Sequence, residues 1–145
     1  MNLKSAFKRH CAEKKLHINE SQIQTIDLLS NFYNKNQLNL FNLFGLLNSD
    51  FKKKAFYLRG DVGVGKTMIL DFFFKHLNIS KQRFHFNEFM INFHNFRHER
   101  EKRGSSNYIE VFVKELKKKY KLIYLDEFQV TNIVDAMILG KLFEI

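Results

Sequence analysis

The chain has 145 residues, 45% hydrophobic and 27% charged, which is room for one domain with a core and excludes a disordered or collagen-like chain. Its one cysteine, Cys11, excludes an intramolecular disulfide and a zinc site of several thiolates. No apolar run is long enough to span a membrane or placed to mark a secreted protein, so we predict a cytoplasmic protein. The net charge of +9 favours phosphate, nucleic acid or an anionic membrane surface as a partner, or reflects a solvated lysine-rich surface.

The first part of the chain, up to about residue 48, is predicted to be a helical N-terminal lead. One helix should begin at Asn19, whose side chain can cap it while Gln22 stands three residues later. Apolar residues then recur at helical spacing, and a short packing helix is predicted over residues 38–47. No residue of this lead carries chemistry that the pattern identifies.

From residue 55 the pattern changes to short apolar runs separated by helical segments. Runs at 55–58, 83–86 and 122–125 are typical of buried parallel strands. Helices are predicted after the glycines that follow residue 60, from 87 to the charged segment before Gly104, over 106–119, and from 133 to the end. The order strand, helix, strand, helix, helix, strand, helix predicts an α/β layered fold with a parallel sheet.

The segment 60–67 fits the pattern G-x-x-x-x-G-K-[ST] between a predicted strand and a predicted helix. Glycines let successive backbone N–H groups curl around a phosphate, and the N-terminus of the helix adds unpaired donors and the positive end of its dipole. We expect Lys66 to bridge the β- and γ-phosphates and Thr67 to give its hydroxyl to Mg²⁺. The predicted phosphate-binding residues are Gly60, Asp61, Val62, Gly63, Val64, Gly65, Lys66 and Thr67.

A second motif places Asp126 and Glu127 directly after the apolar run 122–125. The carboxyl ends of parallel strands are where open α/β sheets bind ligands. We expect Asp126 to hold Mg²⁺ through water and Glu127 to orient or deprotonate the attacking water. The adjacent acids favour hydrolysis over group transfer, and adenine is the expected base because no N-K-x-D signal for guanine is present.

Four segments of the chain together resemble the ZapE family of P-loop ATPases, whose mitochondrial relatives are the lactation-elevated ATPases. The segments are Gly60–Thr67, His85–Met90, Asp126–Thr131 and Asp135–Gly140, and the resemblance spans residues 55–145. It implies a P-loop NTPase of AAA+ type, with a parallel sheet and flanking helices preceded by a helical segment. Residues 1–48 would be the helical lead and residues 49–145 the N-terminal part of a domain that hydrolyses ATP with Mg²⁺.

The resemblance also implies partners. Family members act in cell division on the division-ring protein FtsZ near the inner membrane, or in mitochondrial protein quality control. It implies FtsZ or another protein substrate, a homo-oligomer, and a cytoplasmic location peripheral to the inner membrane.

The chain departs from the family in two ways. Asn132 stands where the family usually shows an aspartate, and family members continue beyond residue 145 with a sensor strand, an arginine that reaches a neighbouring subunit's nucleotide, and a helical part. We therefore expect a C-terminally incomplete domain, complemented by a second polypeptide if it is to be whole.

Two alternatives stay open from the sequence. One is a remnant or interaction module that keeps nucleotide contacts without hydrolysis, because the missing arginine and sensor would stabilise phosphoryl charge. The other is a basic nucleic-acid-associated ATPase, for which the net charge is the support.

Overall fold

The structure is a computed structural model that describes residues 2–38, 55–61, 63–104 and 107–145. The chain divides into two compact units, Met1–Leu77 and Asn78–Ile145. The first unit contains helices α1 (Leu3–Glu13), α2 (Glu20–Leu38) and α3 (Lys66–His76). The second contains β1 (Lys81–His85), α4 (Phe86–Lys102), α5 (Tyr108–Lys119), β2 (Leu122–Asp126) and α6 (Ile133–Glu144).

Helix α2 begins with the capping arrangement that the sequence predicts. The Asn19 side chain accepts a hydrogen bond from the backbone N–H of Gln22 at 2.9 Å. The side-chain oxygen of Gln22 accepts in return from the backbone N–H of Asn19 at 3.2 Å. Each bond satisfies a donor that the first turn of a helix leaves unpaired, so the predicted start of this helix is confirmed.

Helices α1, α2 and α3 share an apolar core. The rings of Phe7 in α1 and Phe72 in α3 meet edge to face, with centroids 5.0 Å apart. Cys11 is fully buried, and burial raises the pKa of its thiol because the thiolate would lose its water. Among the residues of this unit that the structure describes, the other buried apolar ones are Leu3, Ile26, Leu29, Ile69, Phe73 and Leu77.

The second unit is built on two parallel strands whose pairing runs from Lys81 opposite Leu122 to His85 opposite Asp126. Helix α4 follows β1 without a loop, and Phe93 in its centre is fully buried. The Phe93 ring contacts that of Phe112 in α5, with centroids 5.1 Å apart. The remaining members of this core are Phe86, Phe89, Met90, Val113, Ile138, Leu139 and Leu142.

The observed elements confirm most of the predicted ones. Strands β1 and β2 lie within two residues of the predicted runs, and the helices after the glycines, before Gly104, over 108–119 and from residue 133 are all present. Mixed helix and strand with a small parallel sheet is thus the observed architecture. None of the helices in the described ranges combines the length and apolar composition needed to cross a bilayer.

The predicted strand over 55–58 is wrong. These residues form no strand, and the Tyr57 side chain is 69% exposed. A strand exists through hydrogen bonds to a neighbour, and in the described part of the chain the sheet pairs only β1 with β2. The predicted helix over 38–47 lies almost wholly outside the described residues, as does the predicted boundary at residues 48 and 49, which stays a prediction.

His10 couples the stability of the first unit to pH. Its ring lies 5.3 Å from that of Phe72 and 6.3 Å from that of His76. Burial lowers the pKa of His10 below 6.5, and repulsion from Lys14 and His76 lowers it further. The folded protein therefore binds a proton at His10 less tightly than the unfolded chain does. The free energy of unfolding has its full value, as far as His10 is concerned, above pH 6.5, and it decreases as the pH falls below 6.5.

We expect His10→Gln to flatten the dependence of unfolding free energy on pH below pH 6.5, because the group whose pKa differs between the two states is removed. Urea unfolding followed by circular dichroism at several pH values measures this slope. The comparison with the parent chain measures the contribution of His10 together with its repulsion of His76. An unchanged slope in the variant would contradict the assignment.

Candidate functional site

The glycine-rich segment lies directly before α3, and two of its residues have backbone angles that favour glycine. Gly63 and Gly65 have φ angles of 87° and 86°, in the left-handed region. Gly65 is the N-cap of α3 and makes no side-chain cap to the N–H groups of the first helical turn. A helix N-terminus opened by glycines is a favourable place for an anion.

Lys66 folds back over this loop. Its Nζ donates to the carbonyl oxygens of Gly60 and Asp61, at 2.8 and 2.7 Å. The ammonium group therefore lies within the turn that the loop makes. Thr67 is exposed in the first turn of α3, Val64 is exposed in the loop, and Val62 lies outside the described residues.

Sequence reasoning missed a contact between this loop and the helical lead. Gln22 in α2 is buried, and its Nε2 donates to the carbonyl oxygen of Val64 at 3.1 Å. The position of Gln22 three residues after Asn19 signalled a helix cap, and the same side chain fulfils that role with its oxygen. No periodicity links it to a loop 42 residues away, so the sequence held no signal for the second bond.

In the second unit, Asp126 at the end of β2 is held by two donors. One carboxylate oxygen forms an ion pair with Nη2 of Arg83 in β1, and the other accepts from the Tyr124 hydroxyl at 3.1 Å. The Arg83 guanidinium also lies over the Tyr124 ring, 4.9 Å from its centroid. Parallel register places Arg83 opposite Tyr124, which is why these side chains share a face of the sheet.

The surroundings of Asp126 determine its charge. Burial by itself would raise the pKa of this carboxyl, but the hydrogen bonds from Arg83 and Tyr124 and the charge of Arg83 together lower the pKa below its usual value. The carboxylate therefore stays ionised at neutral pH. An ionised carboxylate is a ligand of the kind that Mg²⁺ prefers.

Glu127 extends from the same strand end into solvent. Its φ of 52° is in the left-handed region, which costs roughly 1 kcal/mol in a residue that has a Cβ. Its side chain is 77% exposed, with Oε2 at 4.0 Å from Nδ1 of His85. Glu127 also lines a polar cavity of about 360 Å³ with Asn87, Gln129 and Thr131.

The structure thus groups the predicted residues into two sets. The glycine-rich loop, Lys66 and Thr67 belong to the unit Met1–Leu77, whereas Asp126 and Glu127 belong to the unit Asn78–Ile145. Each set includes a contact that the sequence did not predict, from Gln22 to Val64 in the first and from Arg83 to Asp126 in the second.

His94 and His98, four residues apart in α4, have the spacing of paired metal ligands but differ in their surroundings. Nε2 of His94 lies 3.0 Å from a carboxylate oxygen of Asp135, while His98 is exposed. Within the described ranges, no three histidine, cysteine, aspartate or glutamate side chains come together as metal ligands. A Mg²⁺ ion would therefore need further oxygen ligands from water or phosphate, which this ion commonly keeps.

Comparison with known proteins places these motifs in a family. The model of the AFG1-like ATPase family matches residues 1–145. The chain is 40% identical over 101 residues to Lactation elevated protein 1 homolog B of Danio rerio, 38% over 96 residues to an uncharacterized protein of Schizosaccharomyces pombe, and 35% over 92 residues to Cell division protein ZapE of Escherichia coli. No solved structure matches it.

The alignments cover only part of each relative. Each one includes 63% of this chain but 20%, 21% and 24% of the zebrafish, fission-yeast and bacterial proteins. The chain thus spans about a fifth to a quarter of the length of these curated relatives.

The two left-handed glycines of the loop should differ in their tolerance of alanine. A Cβ at Gly63 would meet nothing within 4 Å, so Gly63→Ala should cost about 1 kcal/mol of unfolding free energy from backbone strain alone. A Cβ at Gly65 would lie 2.8 Å from Nε2 of Gln22. We expect Gly65→Ala to cost about 1 kcal/mol more, because it also displaces a buried amide. Urea titration of both variants measures the difference, and equal losses would contradict it.

Proposed function

Because the chain belongs to the AFG1-like ATPase family, we propose that it binds ATP with Mg²⁺ and hydrolyses it in an α/β fold of the P-loop, AAA+ type. One observation carries the proposal. The glycine-rich loop, with two left-handed residues and a lysine folded over it, opens onto the N-terminus of α3. Backbone donors, a helix dipole and an ammonium group thus converge where an anion would bind.

The loop would bind the triphosphate through its backbone. In this proposal the N–H groups of residues 60–67 surround the β-phosphate, which Gly63 and Gly65 allow because they accept the required backbone angles. Lys66 would exchange its two carbonyl partners for phosphate oxygens and bridge the β- and γ-phosphates. A charged acceptor would replace two neutral ones, so the exchange is favourable.

Thr67 and Asp126 are the residues that we propose for the metal. The Thr67 hydroxyl is exposed in the first turn of α3, and the Asp126 carboxylate is ionised, so both are suitable oxygen ligands, with Asp126 acting through water. Mg²⁺, when bound, supplies positive charge to the phosphate oxygens. Arg83 and Tyr124 would hold the Asp126 carboxylate in one orientation.

Glu127 is the residue that we propose for activating water. Its carboxylate reaches solvent beside a cavity lined by amide and hydroxyl groups, which are suitable partners for a bound water. Glu127 would accept the proton as the water oxygen bonds to the γ-phosphorus. The bond from that phosphorus to the ADP oxygen then breaks, and ADP and inorganic phosphate leave.

Lys66→Ala should weaken the affinity for ATP at least about 30-fold, because charge-assisted hydrogen bonds to phosphate are lost. Titration of the folded chain with a fluorescent ATP analogue and Mg²⁺ measures this. Lys75→Ala, at an exposed position in the last turn of the same helix, is the matched control and should bind as the parent does. A parent chain that folds but does not bind the analogue would refute the proposal.

Glu127→Gln should leave nucleotide binding intact and lower the rate of ATP hydrolysis about 100-fold or more, because the amide cannot accept the proton. Release of inorganic phosphate measures the rate. Glu99→Gln, at an exposed position far along α4, makes the same chemical change away from the strand end. Hydrolysis that survives Glu127→Gln unchanged would exclude Glu127 as the base, and an inactive parent that binds ATP would favour the non-hydrolysing alternative.

The similarity to Cell division protein ZapE extends the proposal to a protein partner. We propose that the chain acts in cell division on FtsZ. Sedimentation of FtsZ polymers with the chain, with and without ATP, tests this directly. Chain that stays in the supernatant under both conditions would exclude FtsZ as the partner.

A further inference from the structure

Gln22 links the helical lead to the glycine-rich loop. Its side chain is 8% exposed, and it is the one buried polar side chain in the described part of the chain. Both ends of its amide are used, since Oε1 accepts from the backbone of Asn19 and Nε2 donates to the carbonyl of Val64. A buried amide with both groups satisfied is held in one position.

The loop is shaped to admit this side chain. A Cβ on Gly65 would lie only 2.8 Å from Nε2 of Gln22, closer than non-bonded atoms approach. Glycine is therefore favoured at this position for two reasons: it adopts the left-handed backbone readily, and it leaves space for the Gln22 amide.

The bond to Val64 determines the direction of a neighbouring donor. A trans peptide is planar, so the carbonyl of Val64 and the N–H of Gly65 point in opposite directions. With the carbonyl directed at Gln22 in α2, the Gly65 N–H is directed away from α2. A peptide that ends in glycine can rotate at little cost, so this direction needs an external constraint.

We propose that Gln22 is a positioning residue of the phosphate-binding loop. By holding the Val64 carbonyl, it orients the Val64–Gly65 peptide so that the Gly65 N–H is ready to donate to a phosphate. The proposal rests on the proposed function of the loop. It makes the helical lead a determinant of nucleotide affinity, because a donor held in place before binding does not have to be ordered when the ligand arrives.

Gln22→Glu separates the two roles of this side chain. A carboxylate still accepts from the Asn19 N–H and keeps the helix cap, but it puts an oxygen where Nε2 donates to Val64. Gln22→Met has similar length and removes the donor without adding charge. Gln24→Glu makes the same charge change at an exposed position of the same helix and is the matched control.

Two measurements test the proposal. Backbone ¹⁵N relaxation of the nucleotide-free chain should show the order parameters of Val64 and Gly65 falling from rigid values to below about 0.6 in Gln22→Glu and Gln22→Met. The affinity for a fluorescent ATP analogue should fall about fivefold to tenfold in both variants, as for one lost hydrogen bond. Gln24→Glu should change neither quantity, and helix content should stay that of the parent in Gln22→Glu.

Loop order that is unchanged in both Gln22 variants would overturn the proposal, even if Gln22→Glu bound nucleotide less well, because the added charge would then account for the loss. If Gln22→Glu does not fold, Gln22→Met decides by the same two measurements. A parent chain that does not bind the analogue would refute the proposed function, while the relaxation measurement would still test the role of Gln22.

Discussion

The left-handed backbone at Gly63 and Gly65 is the constraint on which the candidate site of the first unit depends. It lets the chain enter α3 without a capping side chain, lets Lys66 fold back over the loop, and leaves space for Gln22 beside Gly65. A side chain at either glycine would work against at least one of these features. The loop and the helical lead are therefore parts of one arrangement, joined by a buried amide.

In the second unit, the parallel register of β1 and β2 determines which side chains lie beside Asp126. It places Arg83 opposite Tyr124 and His85 opposite Asp126, so a guanidinium, a phenol, an imidazole and a carboxylate lie on one face. Phe84 and Leu125 alternate with them and pack against the apolar core around Phe93. One pairing of strands thus positions both the apolar side chains of the core and the polar side chains around Asp126. A shift of one strand by one residue would turn its apolar side chains to the polar face and its polar side chains to the core.

Lys66 and Asp126 are held by different kinds of partner. Lys66 is held by neutral carbonyls, which a phosphate can replace, whereas Asp126 is held by the cation of Arg83 and stays ionised. Asp126 thus keeps the negative charge that metal binding would require of it in the proposed function. Glu127, one residue later, is largely exposed and keeps its side chain accessible to water.

Elements with strong local signals could be predicted from the sequence. The cap at Asn19, the helices, the runs that became β1 and β2, and the glycine pattern of residues 60–67 were all predictable because each depends on neighbours along the chain. Tertiary structure alone decided the absence of a strand at 55–58, the bond from Gln22 to Val64 and the ion pair of Arg83 with Asp126. These features depend on partners distant in sequence, and neither composition nor periodicity encodes which partner a buried polar group or a strand edge will find.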